Sequence, residues 1–124
     1  MMTADGFRAL ALSLPHTAEK PHFDRAAFHV DIPNGLTFAT LAPDGASANL
    51  KLDPAEQEMV TGTEPAMFAP VPGAWGARGW TTLTFSEADE ASARSVLALA
   101  WRNAAPKRMR KLADTVILKK RETK

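Results

Sequence analysis

The chain has 124 residues, enough for one domain with one core. Hydrophobic residues make up 45% and charged residues 23%, the balance of a water-facing globular protein, and no stretch approaches the ~20 apolar residues of a membrane helix. Cysteine is absent, which excludes disulfides, thiol nucleophiles and cysteine-based zinc sites; the start "MMTADGFRALALSLPH" lacks the basic end of a signal peptide, so a cytoplasmic location is expected.

A formal net charge of +1 hides an asymmetry. Residues 102 to 124 carry nine basic side chains against Asp114 and Glu122, whereas residues 1 to 101 carry twelve acidic side chains against six basic ones. A basic end on an acidic body is the footprint of a nucleic-acid contact, or else a solvated helix with a frayed terminus.

In chain order, Thr3 caps a first helix whose apolar positions Phe7, Leu10, Ala11 and Leu14 recur at helical spacing until Pro15 stops it. The period then changes to two. "HFDRAAFH" predicts a four-residue connection at Asp24 to Ala27 that sets Phe23 opposite Phe28, both facing the core, and His22 opposite His29 on the other side of the sheet. Phe28, Val30 and Ile32 alternate with His29 and Asp31 as a half-buried strand. Pro33-Asn34-Gly35 predicts a type I′ hairpin pairing Val30 with Ala39 and Phe28 with Leu41. After Pro43-Asp44-Gly45, "SANLKL" returns with Leu50 beside Ala39 and Lys51 beside Phe38.

Asp53-Pro54 opens a short helix with Glu56 and Glu58 near its positive end, ending near Gly62. "WTTLTF" is a further strand, and Ser86-x-x-Asp89 opens a long helix with Val96, Leu97, Ala100, Trp101 and Ala104 as its buried stripe. Pro106 breaks that helix, and "KRMRKLADTV" forms at most a last basic turn or two. Hairpins throughout argue for an α+β fold, a twisted antiparallel sheet with helices packed on one face. It is read as one domain over residues 1–114 followed by a basic tail, 115–124.

"VPGAWGARGWTTLTF" spaces Gly73, Gly76 and Gly79 around Trp75 and Trp80. It is neither a dinucleotide fingerprint nor a phosphate loop, because no G-x-G-x-x-G lies between strand and helix and no lysine follows in the required place. Glycines before a strand allow a sharp corner and close backbone approach. Alternation turns Thr81, Leu83 and Phe85 inward and Trp80, Thr82 and Thr84 outward. The hairpins carry His29, Asp31, Phe38, Thr40, Asn49 and Lys51 to the same outer face. An aromatic face beside a lysine is a platform for stacking bases; the alternative is that Trp80 folds against Trp75 or beneath the "PAMFAPVPG" loop.

"FRALALSLP", then an acidic residue and "HF", then "FHV", "LTFATL", "ANLKL", "GAWGARGWTTL" and "AWRNAAPKRMRK" together resemble the MmcQ/YjbR family over about residues 4 to 114. The pattern W-G-x-x-G-W-T, with A-P-K-R near the end, carries most of the resemblance. It implies a CyaY-like fold and a DNA-binding role, by similarity to a double-wing DNA-binding module. Asp24 stands where many members have glycine. The CyaY-like resemblance also raises iron, but the acidic ridge such a site uses is reduced here to Asp5 beside Arg8.

Catalysis finds little footing. His16, His22 and His29 fit no metal spacing such as H-E-x-x-H. The acid pairs Glu56 and Glu58, and Asp89 and Glu90, lie at helix starts, where capping and the dipole account for them. Ser13, Ser47, Ser86, Ser92 and Ser95 lack the G-x-S-x-G setting. The expectation is a monomeric, non-enzymatic protein with no cofactor and no metal. It binds DNA non-specifically through phosphates, using Lys51, Arg78, Trp80, Lys107, Arg108, Arg110 and Lys111. The alternative is a protein- or small-ligand-binding module that uses the open sheet face.

Overall fold

A computed structural model describes residues 1–110. Its first helix, α1 (Ala4–Leu12), begins where Thr3 accepts a hydrogen bond from the Gly6 amide. Four strands follow: β1 (Thr17–His22), β2 (Arg25–Val30), β3 (Thr37–Leu41) and β4 (Ser47–Lys51). Helix α2 (Pro54–Thr63) carries a reciprocal capping box between Asp53 and Glu56. Next come β5 (Phe68–Pro70), the four-residue α3 (Ala74–Ala77), β6 (Trp80–Thr84) and α4 (Glu90–Ala104). The strands form one antiparallel sheet in the order β1-β2-β3-β4-β6-β5. The expected α+β fold is present, with β5 and α3 as two short elements in a stretch whose sequence carries loop signals.

Helices α1, α2 and α4 share one core with the sheet. Trp101 of α4 is fully buried among Phe7, Phe28, Leu50 and Leu83, and its indole N–H donates to the Pro15 carbonyl at 2.9 Å. That bond satisfies the one polar atom of a side chain otherwise held by apolar contact. Phe7 meets Phe28 edge-on, with ring centres 5.8 Å apart. Ala93, Val96, Leu97, Ala100 and Ala104 complete the buried stripe of α4. The helix is capped by Asp89, which accepts from the Ser92 amide; that bond holds the Asp89 carboxyl below its usual range. Ser86, expected to open this helix, lies instead in a 3₁₀ turn, Phe85–Glu87.

Both early hairpins differ from expectation. His22 pairs with Arg25, so the first loop holds only Phe23 and Asp24. Phe23 takes φ +57, as the first position of a type II′ turn requires, and is 95% exposed rather than part of the core. His22 and His29 are therefore not cross-strand neighbours; His29 faces Ala18. In the second hairpin Pro33 and Asn34 occupy the centre of a type II turn. Gly35 donates back to the Ile32 carbonyl, and Asn34 adopts φ +68. The connection is longer than a type I′ loop, so Phe28 pairs with Ala39 and Ala26 with Leu41. A slip of two residues leaves every side chain on its expected face.

Phe38 is the exception. The β2–β3 ladder shifts between Phe28 and His29, leaving Phe38 as an extra residue in β3. This bulge carries Phe38 into the core, where it is fully buried, while Thr37 and Thr40 stay on the open face. The expectation that Phe38 lies beside Lys51 on the outer surface is thus overturned.

Phe28→Ala should lower the unfolding free energy by about 3–5 kcal/mol, whereas Phe23→Gly should leave it within about 1 kcal/mol of the parent, since it removes a strained φ and no burial. Urea denaturation of the two variants checks the register, and equal losses would contradict it.

Candidate functional site

The open face of the sheet carries a concavity of about 330 Å³. Its polar floor comes from Thr37, Thr40 and Asn49, and one side comes from His22 and Arg25 at the tip of the first hairpin. The other side is apolar, built from Val71, Trp75 and Trp80. Among the described residues no carboxylate lines it, in a body where acidic side chains outnumber basic ones. A second groove, beside α1 and the first hairpin, is larger at about 660 Å³. It is lined by charges of both signs, among them Arg8 and Glu19, which already pair with each other at 3.0 Å.

The floor is held by side-chain hydrogen bonds. Arg25 lies across the sheet, donating from Nε to the Thr40 hydroxyl at 2.9 Å and from Nη2 to the Thr40 carbonyl at 3.2 Å. Thr82 donates to Asn49 Oδ1 at 2.9 Å. These bonds fix two long polar side chains before any ligand arrives, which lowers the entropic cost of binding.

The aromatic wall depends on a tight backbone corner. α3 packs so closely that a Cβ on Gly76 would run into the Val71 carbonyl. Gly79, at φ +113, passes the Leu52 carbonyl with no room for a side chain. Gly76 and Gly79 thus serve close backbone approach, as expected, whereas Gly73 has open space around it and supplies the positive φ, +83, at the start of α3. The corner is pinned by Gln57 of α2, whose amide donates to the Gly76 carbonyl at 3.0 Å and to the Trp80 carbonyl at 2.9 Å. Trp75 and Trp80 then meet edge-on with ring centres 6.0 Å apart. Trp75 is 57% exposed and Trp80 is half-buried.

Each indole carries a cation. Lys51 Nζ sits 5.6 Å from the Trp80 ring centre, and the Arg78 guanidinium sits 5.3 Å from that of Trp75. Cation–π attraction of this kind is worth about 0.5–1 kcal/mol at an exposed site. Lys51, Arg78 and Trp80, expected as site residues from sequence, are therefore brought together. The end of α4 docks near Lys51, for Asn103 donates to the Lys51 carbonyl at 2.9 Å and Ala104 accepts from the Leu36 amide at 3.0 Å. Beyond it, Lys107 and Arg108 are exposed in a 3₁₀ turn. Arg110 is half-buried, folding its Nε toward the Ala105 carbonyl at 3.4 Å. Lys111 and the tail 115–124 lie outside the described residues.

Trp75, Arg25 and Gln57 were not singled out from sequence. Trp75 entered only as a packing partner of Trp80. Arg25 reaches the site because the first hairpin turns two residues earlier than "HFDRAAFH" suggested. Gln57 sits on a short helix whose sequence carries no sign of a partner beyond it. Among the described residues no three His, Asp or Glu side chains gather as a metal site, and no helix is long and apolar enough to cross a membrane.

A family model described as YjbR matches residues 12–103. The chain is similar in structure to the crystal structure of Deinococcus radiodurans protein DR2400, of family-model domain DUF419, with a TM-score of 0.72. The two share 22% identity, over 92% of this chain and 89% of that one; the likeness is one of fold. No curated protein matches the sequence significantly.

Gln57→Ala leaves two carbonyls without their side-chain donor. It should lower stability by about 1–3 kcal/mol and change the tryptophan emission, because α3 loses its tie to α2. A variant with parental stability and emission would show that the corner holds without the Gln57 amide.

Proposed function

The chain belongs to the YjbR family, and from that premise we propose that it is a non-catalytic nucleic-acid-binding module whose open sheet face holds bases and whose basic rim holds phosphates. The observation that carries this reading is the pairing of each accessible indole with a cation, Lys51 on Trp80 and Arg78 on Trp75. Indole faces stack on bases with a worth of about 1–3 kcal/mol each, and cations beside them meet the phosphates on either side. Lys107 and Arg108, exposed a few residues beyond Asn103 of α4, are further cations available to a strand's phosphates.

The acidic body is compatible with this role because half of its twelve carboxylates are engaged in helix caps or ion pairs. Asp53 and Glu56 cap α2, Asp89 caps α4, Glu90 pairs with Arg94, and Asp5 and Glu19 share Arg8. A negatively charged strand laid across the open face meets Lys51, Arg78 and Arg25, and among the described residues no carboxylate lines the concavity. A second reading, a small-ligand module, is favoured by the 330 Å³ volume alone, which lies at the low end of the range for ligand pockets.

If Lys51, Arg78, Lys107 and Arg108 each contact a phosphate, log K should fall with log salt at a slope of about −3.6 on duplex DNA and about −2.8 on single strands. Lys51→Glu with Arg78→Glu should roughly halve that slope, with a stability loss of about 1 kcal/mol from the cation–π contact of half-buried Lys51 and little from exposed Arg78. Anisotropy titrations across a salt series check this. Absence of binding even at low salt would contradict the reading.

A further inference from the structure

Phe23 is held in a place that packing does not explain. Its ring is 95% exposed, at the tip of the β1–β2 hairpin, on a backbone with φ +57. His16 and Asn34, the other non-glycine residues with positive φ among the described residues, are types that enter this region readily; a phenylalanine does so only against a steric cost. Glycine at the first position of a type II′ turn would remove that cost and take an apolar ring out of water. Strain held at an exposed position, with no burial to offset it, calls for a role outside the core. The ring also has a neighbour. It meets the His22 ring edge-on, with centres 4.9 Å apart, and His22 lines the concavity on the side away from Trp75 and Trp80. The tip carries charges of both signs, Lys20 and Arg25 against Asp24, while Glu19 is already paired with Arg8.

We infer that Phe23 is a third aromatic contact for nucleic acid, stacking on an unpaired base of the strand whose neighbouring base lies at the Trp75–Trp80 wall. The inference rests on the nucleic-acid reading and deepens it, since it extends the site beyond the concavity and names single strands as the favoured class. The His22–Phe23 pair carries a ring surface from the concavity out to the hairpin tip, so a strand crossing the open face from β6 toward β1 passes from Trp80 to Phe23. In a duplex the base faces are covered by their own neighbours. Only an unpaired strand can lay its bases on aromatic groups set on opposite sides of a concavity. Every base has a π-face, so the tip adds affinity without adding sequence preference.

Phe23→Gly separates this role from folding, because it relieves the backbone and removes no burial. Anisotropy with the parent chain and this variant compares three labelled probes at low salt: a mixed-sequence single strand, its duplex, and an abasic phosphodiester of the same length. The parent should bind the single strand most tightly. Phe23→Gly should weaken that binding about tenfold, the order of one base–aromatic stack. Its affinities for the duplex and the abasic strand, and the salt slope, should be unchanged, since no charge is lost. Phe23→Tyr keeps the ring and should bind as the parent does. Parental affinity of Phe23→Gly for the single strand would overturn the tip contact and leave the nucleic-acid reading standing. Equal weakening on the duplex or the abasic strand would overturn the assignment to an unpaired base. A dimer of the free chain that Phe23→Gly dissociates, with strand binding unaffected, would give the ring to a second copy and overturn the inference as well. No binding of any probe by the parent would overturn both readings.

Discussion

One extra residue in β3 decides what both faces of the sheet become. Without the bulge at Phe38, strict alternation from Thr40 would put a phenylalanine on the open face beside Lys51, covering the floor of the concavity. With it, the ring joins Trp101 and Leu50 in the core, and the open face keeps Thr37, Thr40 and Asn49 at the same place. A side-chain period of two makes such a switch all-or-none, because a single insertion exchanges the faces of the residues that follow it along the strand. The core gains a large apolar ring and the surface gains a polar floor from the same local event.

The aromatic wall rests on a different device, a corner built from backbone. Gly76 and Gly79 let main chain approach main chain where any Cβ would collide, and Gln57 ties the result to α2 through two carbonyls. Trp75 and Trp80 are consequently held by the scaffold rather than by burial of their rings, which leaves the indoles accessible and oriented. Rigid aromatic groups with cations beside them give a binding surface that loses little entropy on engagement. The division of charge completes it: Asp53, Glu56 and Asp89 sit at helix caps and Asp5, Glu19 and Glu90 pair with Arg8 and Arg94, while among the described residues no carboxylate lines the concavity.

Most of the fold was legible because it follows from period and caps. The stripe of α4, the Asp53-Pro54 start of α2 and the inward Leu83 and Phe85 are local patterns with one good solution. The misreadings share a cause, the length of connections. Phe23 was placed in the core because a palindromic run suggested a longer loop, yet the turn closes at once and strands the ring in solvent. Phe38 was placed outside because alternation carries no mark of a bulge. On the open face the sequence sets Trp80 and Phe38 beside Lys51; the structure brings Lys51 and Trp80 into contact and buries Phe38. Trp75 as a wall, Arg25 as part of the floor and Gln57 as the tie were not legible, since each depends on residues 15 or more positions away in the chain.

The central claim is that the open face, and not the basic end alone, meets the nucleic acid. The chain's three tryptophans report on it directly. The indole N–H of Trp101 is buried and bonded to Pro15, whereas Trp75 and Trp80 flank the concavity. In a ¹H–¹⁵N correlation spectrum titrated with a short single strand, the Trp75 and Trp80 indole signals should shift together and the Trp101 signal should stay fixed. Perturbation confined to the amides around Lys107 to Arg110, with both exposed indoles unmoved, would contradict the account.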